Sequence, residues 1–223
     1  TFASAATGGG TGGACRAAFD PNRAGKFIVV FRDNANSNKG TTIVGDTTGS
    51  PPTAITWGTE AVFHGLTGST LWMGISWDPN RDKRFAITYT SPDDSNEGSV
   101  ISGELSGGSL NAVSGLNQNV SSFHGNAVQA LYTGIAFDPN KIDTAIIIWA
   151  VSGPPHPTSI SGKATEVTFG AGLGDMSFPV GESEFTDEST YYHNIVMDPN
   201  SPSKFIVAYG DSWESRGGRH KVG

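Results

Sequence analysis

The chain has 223 residues, a formal net charge of −7 and 16% charged residues. Its 14 lysines and arginines form no basic stripe, which argues against a nucleic-acid-binding protein. No apolar run approaches a membrane span, so no membrane insertion is expected, and the lone Cys15 cannot form an internal disulfide. The length suits one all-β domain, residues 1–223. No phosphate-binding loop or cysteine cluster is present, so no cofactor is predicted.

The tripeptide Asp-Pro-Asn occurs four times and divides the chain into repeats. Its copies begin at Asp20, Asp78, Asp138 and Asp198, with gaps of 58, 60 and 60 residues. Self-similarity at a fixed period of this size is the signature of a repeat architecture.

In chain order, each repeat predicts the same elements. A short strand, which ends on Phe19 in the first copy, precedes a turn at Asp-Pro-Asn, where Pro fixes φ and Asp accepts from the turn backbone. A second strand (residues 27–31) and a third (residues 41–45) follow, and a fourth, looser strand fits residues 54–63, with counterparts around 110–123 and 164–185. The second strands end on Phe31, Tyr89, Trp149 and Tyr209, and the third segments end on Gly45, Gly103, Gly162 and Gly223.

Four antiparallel strands per repeat predict the blade of a β-propeller. The predicted fold is therefore an all-β propeller with four blades, in which the second-strand aromatic residues are core. Residues 1–6 align with residues 59–64, the end of a fourth strand, so we expect them to complete the last blade and close the ring. The alternative is that the chain is a piece of a longer array.

Histidines and aspartates are the candidate metal ligands in the sequence. His64 and His124 share the sequence Phe-His-Gly, but Ala6 and Glu184 hold the equivalent positions in the other copies. A ring of ligands needs all four positions, so no metal site is predicted. The four aspartates of Asp-Pro-Asn could face a central ion, but turn chemistry explains each of them, and we interpret them as structural turn residues.

Tryptophan supplies the candidate ligand-binding residues. Trp77 and Trp149 hold repeated strand positions and are predicted to be core. Trp57 lies in a predicted fourth strand and Trp213 in a loop, where an exposed ring can stack on a sugar. The competing interpretation is that both pack between blades, as tryptophans in propellers commonly do.

The sequence predicts no catalytic residue and no enzymatic activity. Its carboxylates are scattered through polar loops, and their spacing identifies no acid/base pair of the kind that glycosidases use. The sialidase motif Ser-x-Asp-x-Gly-x-Thr-Trp is absent. The repeats agree in strands and turns but differ in the loops, which favours binding through the loops.

One stretch of the first repeat resembles a known repeat. A strand ending in Phe-Arg-Asp is followed by an Asn-Ser loop, Gly-Thr-Thr-Ile-Val-Gly and Ile-Thr-Trp-Gly. This resembles repeats in structural proteins of marine bacteriophages of the cyanophage type. The resemblance implies a non-enzymatic tail-fibre or virion-surface module, located on the virion or outside the cell. Its partners would be other virion subunits or a host surface glycan or protein, and it could oligomerise. The alternative is a secreted bacterial carbohydrate-binding propeller, either a lectin or a glycosidase-like protein.

Overall fold

The protein is all-β, as the sequence predicts. The computed structural model describes residues 15–48, 54–64, 70–91, 97–106, 112–114, 121–124, 129–153, 156–187, 190–211 and 218–223. Within those ranges the strands form four antiparallel sheets, one per repeat. No helix in the described ranges has the length and hydrophobicity that crossing a bilayer requires.

The sheets follow one another along the chain. The first contains β1 (Cys15–Phe19), β2 (Lys26–Asp33), β3 (Lys39–Thr48), β4 (Ala54–Trp57) and β5 (Ala61–His64). The second contains β6 (Leu71–Trp77), β7 (Arg84–Ser91), β8 (Glu97–Ser106), β9 (Ala112–Ser114) and β10 (Ser121–His124). The third contains β11 (Gln129–Phe137), β12 (Thr144–Gly153), β13 (His156–Phe169), β14 (Met176–Ser177) and β15 (Ser183–Thr186). The fourth contains β16 (Thr190–Met197), β17 (Phe205–Asp211) and β18 (Gly218–Val222).

The predicted fourth strand is in fact two short strands. In the first three sheets, both of these segments pair with the third strand of the sheet, as β4 and β5 do with β3. The predicted strand at residues 164–185 was placed too early, because Ala164 belongs to the long strand β13.

The first strand of each repeat lies on the inner side of the assembly. β1 packs against β6, β6 against β11, and β11 against β16, so we call these four the inner strands. Apolar clusters fill the spaces between consecutive sheets. The aromatic residues that end the second strands are buried there or beside the first sheet: Phe31, Tyr89, Trp149 and Tyr209.

Asp-Pro-Asn joins consecutive sheets as well as making a turn. In every copy the Asp carboxylate accepts a hydrogen bond from the backbone N–H of the Asn, at 2.8–2.9 Å. In the first three copies, the Asn side chain also donates to the carbonyl of the Asp in the next repeat. Asn80 Nδ2, for example, lies 3.1 Å from the carbonyl oxygen of Asp138. The sequence indicated the turn and missed the connection between sheets.

The predicted equivalence of Gly162 with Gly45 is wrong. Gly162 pairs with Ala150, which makes it the equivalent of Gly40 and Gly98 rather than of Gly45. The true counterpart of Gly45 is Val167. The physical reason is a longer hairpin: Gly162 follows Trp149 by 13 positions, whereas Gly40 follows Phe31 by nine, because β12 and β13 extend further before the chain turns.

The fourth sheet exposes an apolar row that the other sheets bury. Ile206 pairs with Val196 on one side and Val222 on the other, and these side chains are 44%, 57% and 63% exposed. The equivalent Ile28 and Ile146 are 0% and 7% exposed, because the following sheet covers them. Residues 1–6, the predicted closing strand, lie outside the described ranges.

Candidate functional site

Three inner strands carry the same backbone irregularity. The pairing of β6 with β7 shifts in register between Leu71 and Gly74, and β11 and β16 shift at the equivalent places. The residue at each shift is aromatic and has a left-handed backbone: Trp72 (φ 48°), Tyr132 (φ 54°) and Tyr192 (φ 54°). Positive φ strains a bulky residue, and such strain is concentrated at functional sites.

The bulges bring aromatic rings together. The ring centroids of Trp72 and Tyr132 are 4.0 Å apart, and those of Tyr132 and Tyr192 are 5.2 Å apart. Tyr191 adds a fourth ring, 5.7 Å from Tyr132. We call these four residues the aromatic cluster. Tyr192 is 74% exposed and the others are half-buried, so the cluster presents ring surface to solvent.

A cavity of about 390 Å³ lies among the four inner strands. We call it the central cavity. Tyr192 belongs both to its lining and to the aromatic cluster, so the cluster borders the cavity. The lining residues are Arg16, Ala17, Gly74, Ile75, Thr133, Gly134, Ile135, Tyr192, His193, Asn194 and Ile195.

Tyr132 stays protonated across the physiological range. Burial is the main cause that raises the pKa of its hydroxyl to about 12, with smaller contributions from Tyr192 and Tyr191. A neutral phenol can both donate and accept a hydrogen bond. Tyr132 therefore offers an apolar ring face and a polar tip in one side chain.

His193 is a core residue rather than an acid or base. It is 5% exposed, and its ring packs near Phe185 and Tyr209 in the space between the third and fourth sheets. Burial lowers the pKa of the imidazole to about 3. Because of this low pKa, the ring is neutral at pH 7. Its Nε2 and the Thr190 hydroxyl form a 2.7 Å hydrogen bond.

Of the two tryptophans predicted from the sequence, Trp57 lies away from this site. Trp57 lies on the outer strand β4, where its ring packs edge-on against Phe27 with centroids 5.5 Å apart. It does not line the central cavity. Trp213 lies outside the described residues, as do the side chains of His64 and His124. In the part of the chain that is described, no three histidine, cysteine or acidic residues are grouped as metal ligands.

Sequence reasoning missed the aromatic cluster, although a signal was present. Trp72, Tyr132 and Tyr192 each lie six residues before the Asp of Asp-Pro-Asn. The signal was an aromatic residue at the same position in three of the repeats. The αL backbone that gathers the rings is not visible in the sequence.

Comparison with known proteins identifies the fold. No protein-family model matches the chain, and no curated protein matches its sequence. A solved chain described as "Bifunctional GH43-CE" from Bacteroides eggerthii superposes with a TM-score of 0.50 at 10% identity, over 93% of this chain and 24% of that one. A GH43 endo-arabinanase from Bacillus licheniformis gives a TM-score of 0.47 at 9% identity, over 93% of this chain and 71% of that one. This chain thus spans about a quarter of the first structure's length. The likeness supports the β-propeller fold.

The comparison corrects the expectation that the protein has no enzymatic activity. The prediction that the chain has no enzymatic activity is contradicted, because the solved GH43-CE chain that shares its fold is an enzyme. The prediction failed because it took a repeating scaffold as evidence of a binding module, although one fold hosts many functions and its active-site residues need not repeat. Neither of these two solved proteins is described as a phage protein.

Proposed function

We propose that the protein binds carbohydrate, with sugar rings on the aromatic cluster and polar contacts in the central cavity. This makes it a carbohydrate-binding propeller of the lectin or glycosidase-like type, acting outside the cell. The observation that carries the proposal is the recurrence of strained aromatic bulges on three inner strands, which assemble into one partly exposed surface beside a cavity.

The chemistry of this surface suits a sugar. One face of a sugar ring presents C–H groups that pack on an aromatic ring, while its hydroxyl groups need hydrogen-bond partners. The cluster supplies ring faces, and Tyr132, Asn194 and Arg16 supply polar groups at or near the cavity. Polar groups that converge on a concavity beside aromatic side chains are typical of ligand sites. Trp and Tyr are also the residues that most often dominate binding energy.

The experiment is a binding screen against soluble polysaccharides and oligosaccharides, followed by calorimetry with the best ligand. Tyr132→Ala and Tyr192→Ala should each weaken binding by about tenfold or more, as truncation of an aromatic anchor does. Ile142→Ala is the matched control, because Ile142 is 69% exposed and lies at a turn away from the cluster. Absence of binding to every glycan at millimolar concentration, or an effect of the control equal to that of the cluster variants, rejects the proposal.

The same samples distinguish a lectin from a glycosidase. Release of new reducing ends from the bound glycan indicates a glycosidase, and binding without release indicates a lectin. The virion role stays a prediction: a protein that binds no glycan but assembles with phage particles would support it.

We also propose that residues 1–6 complete the fourth sheet and close a ring of four blades. Gly40, Gly98 and Gly162 each lie beneath a phenylalanine ring of the fourth-strand region. Gly218 is their equivalent by register, and no described residue lies within 4 Å of a Cβ built on it. Residues 1–6 align with residues 59–64, the segment that supplies this ring in the first sheet, although Ala5 stands at the place of Phe63.

Deletion of residues 1–6 tests the closure. An unpaired edge at β18 invites association, so the truncated protein should melt at a lower temperature and aggregate. A truncated protein with an unchanged melting temperature that stays monodisperse would contradict the closure.

A further inference from the structure

We infer that the carbohydrate bound in the central cavity is anionic, with a carboxylated sugar unit held by Arg16. The inference rests on the proposed function and names the class of its ligand.

The cavity has one charged side chain among its described lining residues, and that side chain is Arg16. Arg16 lies on β1, four residues before the Asp of Asp-Pro-Asn, and the equivalent residues on the other inner strands are Gly74, Gly134 and Asn194. All four line the cavity. A Cβ on Gly74 would lie 2.9 Å from the Cα of Gly134, so β6 and β11 leave no room for side chains where they meet. Polar groups at this level therefore come from β1 and β16.

The Arg16 guanidinium has no carboxylate partner among the described residues. Its one described hydrogen bond is from Nη1 to the carbonyl oxygen of Cys15, at 3.0 Å, which leaves donors of the guanidinium available. Arg23, Arg81 and Arg84 differ, because each forms an ion pair with an aspartate. An arginine without an acidic partner among the described residues is notable in a chain with a net charge of −7.

A guanidinium that no described carboxylate pairs with favours a carboxylate ligand. Its planar fork matches the two oxygens of a carboxylate, and charge-assisted hydrogen bonds of this kind are roughly twice as strong as neutral ones. A neutral sugar could use the same N–H groups only through its hydroxyls. With the aromatic cluster packing on the ring face, a uronic acid unit satisfies both features of the site.

The test compares an acidic oligosaccharide with its carboxyl-reduced form, which keeps the same linkages and loses only the charge. Oligogalacturonate and the carboxyl-reduced oligomer made from it are suitable probes for calorimetry. The wild type should bind the acidic form about tenfold or more tightly than the reduced form, as expected for hydrogen bonds to a charged group. Added salt should weaken acidic binding more than neutral binding.

Arg16→Gln should abolish the preference for the acidic form, so that the ratio of the two affinities falls from about tenfold or more to about one, whatever the variant does to binding of the reduced form. Lys221→Gln removes the same charge from an exposed position on β18 and should change neither affinity. Equal wild-type affinities for the two forms, or an acidic preference that survives Arg16→Gln, would overturn this inference and leave the proposed function standing. Binding of neither form in this assay, with a glycan found in the screen as the positive control, would also overturn it. If the screen finds no glycan at all, the proposed function fails with it.

Discussion

The ring of Phe27 lies directly over Gly45 on the neighbouring strand. A Cβ built on Gly45 would come closer than 3.0 Å to three atoms of that ring. Phe205 and Gly223 repeat the relationship in the fourth sheet. In the third sheet both partners change together, and Ala145 faces Val167. The sheets thus keep the volume of this pair while exchanging which strand carries the larger side chain.

Gly45→Ala should therefore destabilise the protein by about 1–3 kcal/mol, because the added methyl group displaces a packed ring. Urea unfolding followed by circular dichroism measures the change. Gly181→Ala is the control, since no described atom lies within 4 Å of a Cβ at that position. Equal changes in unfolding free energy for the two substitutions would show that the Phe27 ring moves aside without an energetic cost.

Trp149→Ala should cost about 3–5 kcal/mol of unfolding free energy, through lost apolar contact and the cavity left behind. Trp149 is fully buried, and its ring lies 5.0 Å from that of Phe123. Ile142→Ala, at a largely exposed side chain, should change stability by less than about 0.5 kcal/mol. A Trp149→Ala protein as stable as the wild type would contradict the assigned packing between the second and third sheets.

Asn80→Ala should lower stability by about 1 kcal/mol or somewhat more, because its side chain donates to the carbonyl oxygens of both Asp138 and Lys141. Asn200→Ala offers a close comparison: Asn200 holds the same place in the fourth copy and makes the same backbone turn bond. No cross-sheet bond from its side chain is described. If both variants lose the same stability, the effect belongs to the turn rather than to the contact between sheets.

These contacts show what the sequence can and cannot disclose. The period of Asp-Pro-Asn and the aromatic residues eleven positions later were enough to predict four sheets and their cores, because turn chemistry and strand alternation are local. The place of Gly162 was predicted wrongly, since the extra length of the β12–β13 hairpin cannot be recognised until the strands are paired. The aromatic cluster escaped for a different reason: Trp72, Tyr132 and Tyr192 look like ordinary strand residues until a bulge turns their backbones to positive φ.

His193 makes stability depend on pH. Its pKa is about 3 in the folded protein, against an ordinary value of 6.5, so the unfolded chain binds more protons between these two values. Its contribution is fully present above pH 6.5 and is lost as the pH falls toward 3, on the order of 1 kcal/mol per pH unit. The ring's described neighbours, Thr190, Tyr132, Phe185 and Tyr209, include no carboxylate that could reverse this sign.

His193→Met tests this dependence, because Met73 is buried at the equivalent place in the second sheet. As the pH is lowered from 6.5 to 4, the unfolding free energy of the wild type should fall more steeply than that of the variant. His220→Gln, at an exposed position, should leave the pH profile unchanged. Parallel profiles for wild type and His193→Met would show that the imidazole is accessible to protons in the folded state.

The most direct measurement for the central claim is an experimental structure of the protein with the oligosaccharide that binds best in solution. Sugar rings should stack on Tyr132 and Tyr192, with polar groups of the ligand in the central cavity. A ligand bound instead against Trp57, at the loops, or anywhere that leaves the aromatic cluster and the cavity untouched would contradict it.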